Sequence, residues 1–285
     1  MAGRSSTTDC RCKAKVLSPG FSRRFDLLAK ERPAKAGTQN EKRMLLAVDI
    51  GNSAIKFGLF DGETLTSKFS IPTKRNATPD EIKLAVGDRL SRSIDTAIVC
   101  SVVPEIDSAM RDFLRTASNS DPIFVDNSFD FGLKINYQPL ESLGTDRLVN
   151  AFAAVEKYGT PCIVCSLGTA TTIDVVSAGR EFLGGIIAPG LEAMGEALHL
   201  KAPRLPKITA AKAERLLGTS TEESIRSGIY NGYVAMVRGM IERVSSEFEV
   251  EKTVLTGGNA KAVSSEKDIV DDDLMLIGLR ILARR

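Results

Sequence analysis

Two short stretches carry residues able to handle a phosphate group. The first, Asp49-Ile50-Gly51-Asn52-Ser53-Ala54-Ile55-Lys56, directly follows the apolar run 45–48. An isolated charge at the end of an apolar strand is costly unless it meets a cation, a hydrogen-bond network or open solvent. Asp49 could meet that need by holding Mg²⁺ through water beside a nucleotide's phosphates, since Mg²⁺ favours one or two carboxylates, retained waters and phosphate oxygens. Gly51 permits a positive φ and a close approach of backbone N–H groups to an anion, and Asn52 and Ser53 add side-chain donors. The second stretch, Ser166-Leu167-Gly168-Thr169-Ala170-Thr171-Thr172, repeats the glycine and hydroxyl pattern, with Gly168 about 117 positions after Gly51. Taken singly each stretch is first of all a turn signature. The pair is the stronger signal.

A third cluster runs from Tyr137 to Gly144-Thr145-Asp146-Arg147, a loop leading into a helix start. A carboxylate beside an arginine at a helix N-terminus can accept a substrate hydroxyl's proton while neighbouring donors orient the substrate. Spacing alone also allows Asp146 to be a first-turn carboxylate that favourably meets the helix dipole. Other nucleotide folds lack support, because the chain has neither a Gly-x-x-x-x-Gly-Lys-Ser/Thr loop nor a Gly-x-Gly-x-x-Gly turn after a strand.

The elements that position these residues follow from hydrophobic periodicity. Residues 45–50 read as a buried strand running into a turn, and 54–60 as the returning strand. Strands are expected near 96–100 and 122–125, and 146–158 has helical apolar spacing. Residues 162–176 again give strand, glycine turn and returning strand. Two such hairpins predict a duplicated α/β unit closing on a nucleotide between the halves. The expected division is a basic tail over 1–43, an N-terminal unit over 44–159 and a C-terminal unit over 160–285, cut near Gly159.

Composition narrows the partners. Residues 1–43 carry eleven Lys or Arg against four Asp or Glu, so the remainder stands at −5 within a total of +2. A mildly acidic body without tryptophan is unlike a nucleic-acid binder, which presents a basic stripe and stacking platforms. The tail reads as disordered or as a mis-called start upstream of Met44. No apolar run approaches the ~18 residues of a membrane helix, so a soluble chain without a membrane partner is expected. Cys162 and Cys165 have metal or redox spacing, but they fall in a strand-like run with no second cysteine pair, and His199 is the sole histidine. Buried strand cysteines are the expected reading.

Seven motifs occur in order: Asp49-Ile50-Gly51-Asn52-Ser53, Ser101-Val102-Val103-Pro104, Gly144 to Ala151, Gly168-Thr169-Ala170-Thr171-Thr172, Gly184 to Gly190, Ser227-Gly228 and Thr256-Gly257-Gly258. Their order and spacing resemble type III pantothenate kinase from Met44 almost to the C-terminus. The resemblance implies an α/β fold of duplicated actin-like, ribonuclease H-like domains with mixed sheets and flanking helices, similar to the acetate kinase, Hsp70 and actin superfamily. It implies phosphorylation of pantothenate by ATP to 4′-phosphopantothenate, the first step of coenzyme A biosynthesis, in the cytoplasm. Asp146 matches the family's general base. Residues 49 to 56 match the first phosphate segment, Gly168 and Thr169 the second, and Gly257 and Gly258 the adenosine-side turn. Tyr137, Gly144, Thr145 and Arg147 match pantothenate contacts. Thr221 matches a threonine supplied by the partner subunit, which implies a homodimer. Ser166 departs from the pattern, because the family has there an Asp that binds a monovalent cation, K⁺ or NH₄⁺. That departure opens the alternative of a weak or inactive homologue acting as a ligand-binding or regulatory accessory protein.

Overall fold

The computed structural model describes residues 44–90 and 93–285; the basic tail, with Cys10 and Cys12, lies outside the described residues. The chain starts with strands β1 (Met44–Ile50), β2 (Ala54–Asp61) and β3 (Thr64–Pro72), then helix α1 (Pro79–Val86), β4 (Thr96–Ser101), α2 (Pro104–Ala117) and β5 (Ile123–Val125). The two-residue β6 (Lys134–Ile135) and helix α3 (Thr145–Tyr158) follow. The second series is β7 (Cys162–Leu167), β8 (Ala170–Val176), β9 (Glu181–Pro189), α4 (Leu191–Lys201), α5 (Thr221–Phe248), β10 (Thr253–Thr256), α6 (Ala260–Val263), β11 (Ile269–Val270) and α7 (Leu274–Leu282). The strands read from the sequence around both glycine turns, and the helix over 146–158, are all present.

The repeat is visible in the strand order. The first sheet runs β3-β2-β1-β4-β5, and the second runs β9-β8-β7-β10-β11, with β6 added outside β9. In each sheet the strand before the glycine turn is antiparallel to the next strand and parallel to a later one, β4 or β10. This is the duplicated actin-like α/β architecture.

Strand alternation divides the core into three parts. Leu46, Val48 and Ile50 face α1 and α2, while Ala47, Ile98 and Cys100 face α3 and α7. In the second sheet Ile163, Cys165 and Leu167 face α5, and Cys162 and Val164 face α3. Period-two geometry therefore turns Asp49 and Ser166, each next to last in its strand, toward the space around α3. Cys100, Cys162 and Cys165 are buried and unpaired, and burial pushes their thiols up, as inert strand residues should behave.

Helix α3 is the shared wall. Residues 147–155 are all buried, and α7 lies against them so closely that a Cβ on Gly278 would stand 2.8 Å from the Ala153 Cβ. Burial of a large apolar side chain contributes about 1.5–3 kcal/mol, so Leu148, Val149, Phe152 and Val155 hold the helix start as a rigid platform. The division near Gly159 remains a proposal about repeat units. Packing crosses it repeatedly, since α3 packs on α7, β7 and β8, β6 pairs with β9, and α7 packs on β1, β2 and β4.

Candidate active site

The first turn is a three-residue tip, Gly51 to Ser53, between β1 and β2. Asp49 sits just below it with a side chain 14% exposed, 3.7 Å from the Nζ of Lys56, which is 47% exposed. Burial pushes the Asp49 carboxyl up to about 6; Lys56 opposes the rise and the nearby Asp146 adds to it. The side chains of Ile50 and Ile55 are buried in the core, so they anchor the strands and leave only backbone to face a ligand.

The second tip has two residues, Gly168 and Thr169. Here the inward positions carry hydroxyls: Ser166 pairs with Thr172 on one side and with Thr256 on the other. Gly257, at φ +95°, closes over the end of β7, where a Cβ would stand 2.6 Å from Leu167 O; Asn259 N–H donates to that same carbonyl at 3.0 Å. A Cβ at Gly258 would meet nothing, so of the two glycines Gly257 is the sterically required one. The tips meet directly, with Ser53 Oγ and Thr169 Oγ1 2.8 Å apart.

Helix α3 starts between the two sheets. Asp146 acts on both, on Asp49 and Cys100 of the first and on Asp174 of the second. Burial raises its own carboxyl, against the Arg147 backbone N–H that donates to it at 2.9 Å and the Arg147 charge. Arg147 turns to the second sheet, where Nε and Nη2 donate to Asp174 Oδ1 at 3.0 and 2.5 Å with both side chains buried. Its guanidinium lies 5.4 Å from the Tyr137 ring and 5.7 Å from the Phe182 ring, a stacking that suits arginine's planar fork. A Cβ at Gly185 would collide with Asp174 Oδ1, so glycine there makes room for the pair. Thr145 spends its hydroxyl on Asn127 Oδ1 at 2.8 Å.

Asp49, Tyr137, Gly144, Asp146 and Arg147 are thus linked around the start of α3, and the two tips are linked to each other through Ser53 and Thr169. Thr221 stands apart. It is exposed in the first turn of α5 and lines a cavity of about 870 Å³ with Met194, Leu198, Ser224 and Ile229, a lining that includes none of the other candidates.

A family model for type III pantothenate kinase matches residues 45–243. Curated type III pantothenate kinases are similar over 85% of the chain: that of Halalkalibacterium halodurans is 35% identical over 99% of its own length, and that of Solibacter usitatus 38% identical over 97%. A solved Campylobacter jejuni structure, described under the Baf transcriptional-activator family label, overlays with a TM-score of 0.54 at 20% identity, covering 84% of this chain and 97% of that one. The chain belongs to the type III pantothenate kinase family.

In this pantothenate kinase family member, sequence reading overlooked two charged residues. Asp174 obeys the rule that singled out Asp49, a lone carboxylate in an apolar strand, and burial likewise raises it to about 6, with Arg147 opposing. Its cue was present but masked by the hydroxyl run before it. Arg75, which donates from Nη2 to Asn52 Oδ1 at 2.8 Å, gave no cue, since its approach depends on how the chain leaves β3.

Proposed function

We propose that the chain transfers the γ-phosphoryl group of ATP to the primary hydroxyl of pantothenate, giving 4′-phosphopantothenate and ADP, with Asp146 as general base. The hydroxyl's proton passes to Asp146, its oxygen bonds to the γ-phosphorus, and the bond from that phosphorus to the bridging oxygen of ADP breaks. The observation that carries this is the Asp146 carboxylate at the start of α3, half-buried and raised, within electrostatic reach of Asp49 at the base of the first glycine tip. A raised carboxylate is better matched to proton abstraction than an ordinary one. Most of the remaining catalysis in phosphoryl transfer is positioning and charge neutralisation.

Asp49 fits Mg²⁺: it is an oxygen donor, nearly buried, with one half-exposed lysine as its ion-pair partner among the described residues. No group of three or more His, Cys, Asp or Glu there could hold a metal alone, which suits an ion that keeps waters and takes phosphate oxygens. Mg²⁺ supplies charge neutralisation at the phosphates. Arg147, fixed by Asp174 and two aromatic rings, orients pantothenate, with Tyr137 and Gly144 beside it. Ser166, among hydroxyls in place of a carboxylate, leaves a weakened monovalent-cation site. Thr221, which lines a cavity shared with none of the other candidate residues, serves the site of a partner subunit in a homodimer. None of the described helices is long and apolar enough to cross a membrane, in keeping with a cytoplasmic enzyme.

The test is a coupled phosphorylation assay with pantothenate, ATP and Mg²⁺, with other small alcohols as controls and with sodium, potassium or ammonium present. Turnover specific to pantothenate is expected; equal turnover of the other alcohols, or none with any, would overturn the assignment.

A further inference from the structure

We propose that Arg75 binds the phosphate chain of the nucleotide, supplying positive charge at the first tip. This rests on the kinase reading above. The segment after β3 folds back over that tip and engages all three of its residues: Thr73 N–H donates to Ser53 O at 3.1 Å, Thr73 Oγ1 to Gly51 O at 2.6 Å, and Arg75 Nη2 to Asn52 Oδ1 at 2.8 Å. Arg75's other branch donates from Nη1 to Glu105 Oε1 at 2.6 Å. The guanidinium is thereby parked beside residues that a phosphate would approach, while half of its side-chain surface stays open to solvent.

Electrostatics asks for such a group. Nucleotide triphosphate is strongly anionic, yet Lys56 faces Asp49 and Arg147 is buried against Asp174. Among the described residues, Arg75 is the one cationic side chain hydrogen-bonded to either tip. Its pairing with Glu105 is not a reason to hold it there, because both side chains are about half exposed and exposed pairs contribute little. An arginine fork exchanges such a contact readily for a charge-assisted, bidentate one to phosphate. The repeat sharpens the argument. The position equivalent to Arg75, 117 residues on, is Glu192, which accepts from Asn259 Nδ2 at 3.4 Å beside the Gly257 turn. The equivalent side chain in the second half is thus an acid held by the loop after β10, and among the described residues no cationic side chain hydrogen-bonds to the second tip.

Calorimetric titration of the full chain with ATP, ADP and adenosine, each with Mg²⁺, decides the matter, alongside the Michaelis constants for ATP and pantothenate. Arg75→Gln keeps a donor for Asn52 but removes the charge; Arg75→Lys keeps the charge. Arg75→Gln is expected to weaken ATP about ten-fold, to leave adenosine binding, the pantothenate constant and the melting temperature unchanged, and to be largely rescued by lysine. Wild-type ATP affinity in Arg75→Gln, or a parallel loss for adenosine or in melting temperature, would overturn the proposal and make Arg75 a clasp on the tip. A wild-type chain that binds no nucleotide would overturn the kinase reading, and this proposal with it.

Discussion

In the first half the next-to-last residue of the strand ahead of the tip is Asp49, its cross-strand partner is Lys56, and Arg75 folds over a three-residue tip; in the second half the same sequence places hold Ser166, Thr172 and Glu192, and the tip has two residues. Duplication preserved the strand order and the glycine turn, because backbone topology alone dictates those. It did not preserve charge. The first half carries a carboxylate and two cationic side chains about its tip, while the second offers hydroxyls and a close-fitting glycine at Gly257. Helix α3 joins the two, with Asp146 acting on both and Arg147 paired to the second.

The largest effect should come from removing the carboxylate on the second side. Asp174→Asn strands the Arg147 charge in the interior, and breaking a buried pair in this way costs about 3–5 kcal/mol. Chemical denaturation should show that loss, and any folded fraction should have a raised Michaelis constant for pantothenate. The same change on the first side, Asp49→Asn, releases a lysine that is 47% exposed, so stability should move by less than about 1 kcal/mol while MgATP affinity falls. Equal destabilisation by the two variants would break the comparison.

Asp174 also marks how far the sequence could be read. Both turns, their flanking strands and the start of α3 were legible because apolar periodicity and glycine fix them locally. The partner of Asp174 was not, since the pair joins residues 27 positions apart through the twist of α3 against β8. Nor did anything in the two residues of β6 announce that they extend the second sheet. Arg75 was hidden for the same reason, as its contact exists only once β3 has been laid beside β2.

A smaller effect separates activity from stability as pH changes. Asp49 rises to about 6 when folded, from about 4 in the unfolded chain. Between those values the folded state binds the extra proton, so what this group contributes to stability declines as pH rises from about 4 to 6. Activity should run the other way and fall as pH drops through about 6, because a protonated Asp49 cannot serve; protonation of Asp146, which burial also raises, acts in the same direction. The melting temperature of Asp49→Asn should gain on the wild type as pH rises across that window. A constant gap across it, or no acid limb in the pH profile of kcat/KM, would contradict the assigned burial.

Ser166→Asp returns a carboxylate to the second half and tests whether its loss there matters. Potassium should stimulate this variant severalfold and lower its Michaelis constant for ATP, while the natural chain responds weakly. Equal, strong stimulation of both would show that carbonyls and water hold the ion without residue 166. The smallest expected change follows deletion of residues 1–43, which lie outside the region the family matches; turnover and melting temperature should stay as they are, and a marked drop in either would give the tail a role.

Asp146 is where both halves converge, and replacing it gives the most direct test. Phosphorus NMR can follow 4′-phosphopantothenate formation by the wild type and by Asp146→Asn, with pantothenate and ATP binding measured on the same samples. The amide keeps the shape but cannot take the proton, so turnover should fall about 10²- to 10⁴-fold with the fold and both affinities retained. Near wild-type turnover in Asp146→Asn would contradict the account and leave Asp146 as a carboxylate that merely meets the helix dipole.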